Sequence, residues 1–123
     1  MDDLTPAQIE SKLRRLVNDL AAAQMALRLA RDEEVAAKHL YESAHRRALL
    51  SADCPKVTRG GFTTAERDAW VGEQAADTEK EYDLAEARRK AAEDHLRTLR
   101  DQSMVVMALG KSVNAAFSLA GVS

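Results

Sequence analysis

The stretch from residue 7 to residue 51 contains neither proline nor glycine, the two residues that most readily end a helix. Apolar or small side chains recur along it at alternating steps of four and three, which is the spacing of a heptad repeat. The pattern predicts one helix over residues 6–51, about 65–70 Å long. This first ladder consists of Ile9, Leu13, Leu16, Leu20, Ala23, Leu27, Ala30, Glu34, Ala37, Tyr41, Ala44 and Ala48, and only Glu34 breaks the apolar rule.

Signals for the start of a helix occur twice. Thr5-Pro6-Ala7-Gln8 is a capping box with proline at the first helical position, and Thr63-Thr64-Ala65-Glu66 is a second capping box. Residues 52–62 contain a proline and two adjacent glycines, and they lose the heptad period. We therefore predict a loop over 52–62 and a second helix over 64–103.

A second, weaker ladder of the same period follows the loop. Two helices of similar length joined by a short loop bury both ladders only if they fold back on each other. The predicted fold is therefore all-α, a long antiparallel helical hairpin (a coiled coil) within a single domain of residues 1–123. The second ladder consists of Val71, Ala75, Thr78, Tyr82, Ala85, Arg89, Ala92, Leu96, Leu99, Ser103 and Val106.

Many of the ladder positions are alanine, a residue that occurs 23 times in the 123 residues. An alanine contributes far less on burial than the roughly 1.5–3 kcal/mol of a leucine. We therefore expect self-association into a helical bundle, most simply a two-fold dimer of hairpins. The candidate oligomer seam consists of Leu13, Leu16, Leu20, Leu27, Leu96, Leu99, Val106, Val113 and Phe117.

The C-terminal segment, residues 104–123, carries Lys111 as its only charged side chain. The ladder continues through Val113 and Phe117, so we predict an apolar helical segment that packs or oligomerises. Its serines, glycines and lysine make it too polar for a typical membrane span. Association with a membrane surface and capture of a partner are the alternatives for this segment.

Residues suited to catalysis or metal binding are sparse. His39, Glu42 and His45 are spaced by three, whereas the zinc-protease pattern requires histidines at i and i+4. Cys54 is a lone thiol in the loop, without a placed histidine to activate it. We predict no enzyme activity, no catalytic residue, no metal site and no cofactor. The single cysteine and the acidic N-terminus predict a cytoplasmic protein.

Charge is unevenly distributed although the formal net charge is only −2. Residues 65–86 contain eight acidic and two basic side chains, which predicts an acidic half-helix. Exposed aromatic side chains beside such charges are reasonable interface anchors. The candidate partner interface consists of Phe62, Trp70, Glu73, Asp77 and Glu81. The bases at the opposite end of the hairpin suggest nucleic-acid binding as an alternative, which the net charge and the few aromatic residues disfavour.

Four features follow one another along the chain: an Ala-rich helix, a Gly-containing connector, the run Glu-Tyr-Asp-Leu-Ala-Glu-Ala-Arg-Arg-Lys at 81–90 and the run Leu-Arg-Thr-Leu-Arg-Asp-Gln-Ser at 96–103. A chain with this succession resembles small helical proteins of bacteriophages that infect Gram-positive, particularly actinobacterial, hosts. The resemblance implies an accessory role in the host cytoplasm, exerted by binding a host or phage protein. It supplies no catalytic residue. An accessory of DNA recombination or replication is the alternative function.

Overall fold

The computed structural model describes residues 4–121, and over this range the chain forms three α-helices. Helix α1 spans Pro6–Leu50, α2 spans Thr64–Gln74 and α3 spans Ala76–Leu119. No strand occurs within residues 4–121, where β-type pairing is limited to one bridge between Val57 and Phe62 in the loop after α1. The predicted all-α class is confirmed.

Both predicted capping boxes are present. Thr5 Oγ1 accepts a hydrogen bond from the Gln8 amide at 3.2 Å, and the Thr5 amide donates to Gln8 Oε1 at 2.9 Å. Thr63 Oγ1 accepts from the Glu66 amide at 3.1 Å, while the Thr63 amide donates to Glu66 Oε1 at 3.3 Å. Each box satisfies amides that the first turn of a helix leaves without intrahelical partners.

Burial follows the two predicted ladders. Every position of the first ladder is buried or half-buried, and so is every position of the second ladder from Val71 to Val106. The same period continues along α3 through Gly110, Val113 and Phe117, which are also buried or half-buried. The ladders are therefore the inner faces of the helices.

The helix predicted over 64–103 differs from the structure in its middle. Ala75 separates α2 from α3 with φ −98° and ψ 5°. The Thr78 hydroxyl donates to the Ala75 carbonyl at 2.9 Å, and the Glu79 amide donates to the same oxygen. The Ala75 carbonyl thus accepts two hydrogen bonds, and a hydroxyl that bonds back to a helix carbonyl in this way commonly bends the helix.

The sequence leaves open whether the apolar segment of residues 104–123 continues the helix of residues 64–103. In the structure α3 runs without a break past residue 103 to Leu119. The heptad period of inward-facing residues does not stop at residue 103, so the uncharged segment extends the helix. Gly121, with φ +73°, follows its end, in the left-handed conformation common after helix C-termini.

Contacts among the described residues divide into two compact units. The first unit comprises the described residues up to Arg28 and those from Ala91 onward, and the second unit comprises Leu29–Lys90. Each unit draws one part from α1 and one from the later helices. That the chain is a single domain stays a prediction.

The core of the first unit is rich in leucine. Gly110 of α3 lies against Ile9 of α1, and a Cβ atom built on this glycine would lie 3.0 Å from Ile9 Cγ2. The absence of a side chain at residue 110 therefore makes room for the isoleucine. The central cluster consists of Leu16, Ala23, Leu27, Leu96 and Leu99, with Leu20, Ala92 and Val106 packed against it.

The second unit contains a polar contact at its inner faces. Arg89 Nε donates to Glu34 Oε2 at 3.0 Å, and these side chains are only 23% and 22% exposed. The two residues that carry charge at ladder positions thus neutralise each other. The ring of Tyr41 stacks on that of Tyr82, with centroids 6.1 Å apart and an interplanar angle of 29°.

The loop after α1 closes onto a small apolar cluster of Ala48, Cys54 and Val71, with Trp70 packed against it. Gly60 has φ +83°, a conformation that glycine adopts without strain. A Cβ atom on Gly61 would collide with the Thr58 hydroxyl. The glycine pair is therefore required by the turn, as the sequence predicts.

Candidate functional site

The predicted partner-interface residues separate into two groups in the structure. Asp77 and Glu81 are exposed on one face of α3 and line a common groove. Phe62 is half exposed in the loop, and Glu73 is exposed on α2, both outside that groove. Trp70 packs against the cluster of the second unit, so it plugs this loop region instead of standing free as an anchor.

The groove lies between α1 and α3 within the second unit and has a volume of about 430 Å³. Alanine side chains form most of its floor, so the floor of the groove lies close to the backbones of the two helices. Leu40 is the largest apolar side chain that lines it and is 62% exposed. The lining consists of Glu33, Ala36, Ala37, Leu40, Asp77, Thr78, Glu81, Ala85 and Arg88.

The charges around this groove are mostly negative. Three of its lining residues are acidic and one, Arg88, is basic. On another face of α3, Lys90 Nζ lies 2.7 Å from Glu86 Oε1, and this hydrogen bond lowers the pKa of Glu86. Glu86 is thus neutralised locally by Lys90, and the acidic character of the groove is carried by Glu33, Asp77 and Glu81.

The predicted interface residues Asp77 and Glu81 lie on the α3 side of the groove, and none of the predicted interface residues lies on its α1 side. A signal for that side was present, because Leu29, Glu33, Ala36 and Leu40 follow each other at steps of four, three and four beside the first ladder. Leu29, Ala36 and Leu40 thus form an exposed stripe of small and apolar residues on α1, and Glu33 lies within that stripe.

The predicted oligomer seam is occupied within the chain itself. Leu16, Leu27, Leu96 and Leu99 are buried in the core of the first unit, and Leu13, Leu20, Val106, Val113 and Phe117 are half-buried. These residues take part in packing within the chain. The assignment of this seam to an oligomer contact stays a prediction.

A different apolar surface is exposed on the first unit. It lies on α3 beyond residue 103, where Lys111 is the only charged residue as far as Gly121. Met104 is 65% exposed and Leu119 is 90% exposed. We call these exposed apolar side chains together the C-terminal apolar face. They lie around the outer side of α3 and consist of Met104, Val105, Met107, Leu109 and Leu119.

The first unit also has a groove of about 560 Å³, in which Lys12 and Arg15 lie with Asp19 and Asp101. Two basic and two acidic side chains therefore balance at the place where the sequence suggested a basic end. A second hollow, of about 700 Å³, is lined by Thr5, Pro6, Ala7, Asn114, Phe117, Ser118 and Gly121.

The histidines and the cysteine occupy ordinary structural environments. The His45 ring meets the Tyr41 ring edge-on, with centroids 6.1 Å apart, and Glu42 lies 3.9 Å from Lys38. Cys54, the lone thiol of the loop, is buried, and it donates a weak hydrogen bond to the Pro55 carbonyl at 3.8 Å. Within residues 4–121, no group of three or more metal-ligating side chains is clustered.

Comparison with known proteins finds no match to this chain among family models, curated proteins or solved structures. None of the helices in the part of the chain that the structure describes has an apolar stretch long enough to cross a bilayer.

Proposed function

We propose that this chain is a non-enzymatic helical protein that acts by binding proteins, both a second copy of itself and a further partner. The observation that carries the proposal is the C-terminal apolar face, which is exposed although the inner face of α3 is already packed. Exposed apolar surface of this kind on a small protein commonly marks an interaction site. The accessory role in a phage-infected host that the resemblance implies fits a protein of this type.

We further propose that the helices form an antiparallel coiled coil within each unit. In the second unit, Glu34 contacts Arg89 and Tyr41 contacts Tyr82. The residue number thus rises by seven along α1 while it falls by seven along α3, as it does in antiparallel helices. In the first unit, Ile9 lies against Gly110. The leucine cluster of that unit joins residues further along α1 to residues earlier in α3.

The C-terminal apolar face suits a second copy better than a charged surface does. A two-fold interface brings the same patch of both subunits together, so any charge near the axis meets its own copy. Residues 104–121 contain Lys111 as their only charged residue, which keeps this repulsion small. The acidic groove of the second unit lacks this property.

Measurement of absolute mass against concentration tests the self-association. Light scattering after size-exclusion chromatography is expected to give a mass above the 13.5 kDa of one chain at micromolar concentration, with twice that mass the simplest result. A mass that stays at the monomer value up to millimolar concentration contradicts this part of the proposal.

Affinity capture from an actinobacterial host lysate tests the second part, the binding of a further protein. We expect a stoichiometric protein partner to be captured with the tagged chain. Added untagged chain should compete for that partner and lower the amount captured. Duplex DNA titrated in the same buffers serves as the comparison, since binding that falls steeply with salt would point to nucleic acid instead. Recovery of the tagged chain without a stoichiometric partner would contradict the proposal.

A further inference from the structure

We infer that the groove of the second unit binds a basic amphipathic helix of a partner protein. The inference rests on the proposed function and assigns to it a site and a partner chemistry.

The floor of the groove is apolar and shallow because alanines line it. Ala36 and Ala37 belong to α1 and Ala85 belongs to α3, and Leu40 stands beside them with most of its side chain exposed. The distance at which two helices pack depends on the side chains at the contact, so alanines allow a third helix to approach closely. A helix with small or aliphatic residues on one stripe fits such a floor.

The charges require a partner of positive sign. Asp77 and Glu81 are four residues apart on α3, which places their carboxylates on one face, one turn apart. Glu33 adds a third carboxylate from α1. Lysines or arginines spaced by one turn on an incoming helix match this arrangement, whereas a nucleic acid is repelled by it.

The dimensions fit a helical segment of about three turns. The groove is lined on α3 from Asp77 to Arg88, a span of roughly 16 Å at 1.5 Å per residue. Arg88 lies near one end of this span, and Asp77 lies at the other. Arg88 therefore favours one direction of the incoming helix, namely the direction that places the basic residues of the partner at the Asp77 end of the groove.

A synthetic peptide probes this site directly. The peptide has about 18 residues, long enough to form a helix in isolation, with a leucine and alanine stripe flanked by lysines. A second peptide carries glutamate at each lysine position. Fluorescence anisotropy is expected to show that the lysine peptide binds the full chain and that the glutamate peptide does not.

Two variants of the groove and one matched control locate the binding. Asp77→Lys combined with Glu81→Lys is expected to weaken binding of the lysine peptide roughly tenfold or more, because attraction becomes repulsion. Leu40→Ser is expected to weaken it with all charges retained. Glu79→Lys combined with Asp83→Lys makes the same change of charge at the same spacing on another face of α3, and it should leave binding within about twofold, as expected for a charge outside the contact.

Three outcomes would overturn the inference. The first is that the lysine peptide does not bind at millimolar concentration. The second is that the groove variants and the Glu79/Asp83 control lose the same amount of peptide affinity. The third is that Leu40→Ser lowers the mass of the chain measured by light scattering, which would assign the groove to a second copy. None of these results contradicts protein binding as the function, because the mass and capture experiments test that function without the peptide. Circular dichroism of each variant confirms that it remains folded.

Discussion

At the scale of single residues, the most informative contact is the ion pair between Glu34 and Arg89. Each residue by itself breaks the apolar rule of its ladder, yet their side chains meet at 3.0 Å with less than a quarter of each exposed. A charge in such a place is costly if its partner is removed. The pair therefore favours the one alignment of α1 and α3 in which the two charges meet.

We predict a measurable coupling between these two residues. A double-mutant cycle with Glu34→Ala and Arg89→Ala, followed by urea unfolding, is expected to give a coupling free energy of about 1–2 kcal/mol, because the two charges attract each other where less than a quarter of each side chain is exposed. The pair Lys38 and Glu42, at 3.9 Å and about half exposed, is the control, with an expected coupling under about 0.5 kcal/mol. Equal coupling in both cycles would show that the inner pair does not set the alignment.

Two helical glycines provide a second prediction. A Cβ atom on Gly72 would meet no atom within 4 Å, so Gly72→Ala is expected to raise the free energy of unfolding by about 0.5–1 kcal/mol. Gly110→Ala gains the same helix propensity but forces Ile9 to move, since the new Cβ would lie 3.0 Å from it. We expect Gly110→Ala to stabilise less than Gly72→Ala in thermal unfolding. A larger gain at residue 110 would refute the close packing of α3 on Ile9.

At the scale of elements, the helix starts depend on local side-chain chemistry, and the interruption at Ala75 coincides with an additional hydrogen bond to one carbonyl. The capping boxes of Thr5 and Thr63 form as their sequences specify. The Thr78 hydroxyl bonds to the Ala75 carbonyl at the junction of α2 and α3. The heptad pattern does not register this interruption, because both Ala75 and Thr78 keep their inward positions.

The cap of α2 is expected to contribute to stability through one side-chain oxygen. Thr63→Ala removes the acceptor of the Glu66 amide and should lower the free energy of unfolding by about 1 kcal/mol. Thr64→Ala, one residue inside the helix, is the matched control and should change stability by less than half as much. Amide hydrogen exchange in the first turn of α2 should become faster in the Thr63 variant alone. Unchanged exchange in that turn would contradict a role for the capping box.

At the scale of the whole molecule, two exposed surfaces differ in the partner that each can accept. The C-terminal apolar face carries so little charge that it can meet a copy of itself. The groove with Asp77 and Glu81 has a net negative lining, so it is complementary to a basic partner. We therefore propose separate surfaces for self-association and for binding of a second protein.

We predict that charge on the C-terminal apolar face abolishes self-association. Met104→Lys combined with Leu119→Lys places two like charges where a second copy would pack, so light scattering should give the monomer mass at concentrations at which the unmodified chain is associated. Leu29→Lys combined with Val35→Lys changes apolar residues of α1 that are 55% and 53% exposed, and it should leave the mass unchanged. If the second variant dissociates and the first does not, the contact lies on α1.

The sequence by itself determined the helices, their capped starts and the residues on their inner faces. These properties depend on neighbours within one or two turns, so period and capping chemistry suffice to predict them. The tertiary structure alone decided that Glu34 pairs with Arg89, that Trp70 and Cys54 turn inward, and that Asp77 and Glu81 share a groove with Leu40. Those contacts join residues far apart in the chain, and two ladders of equal period can align in several ways until packing and charge select one.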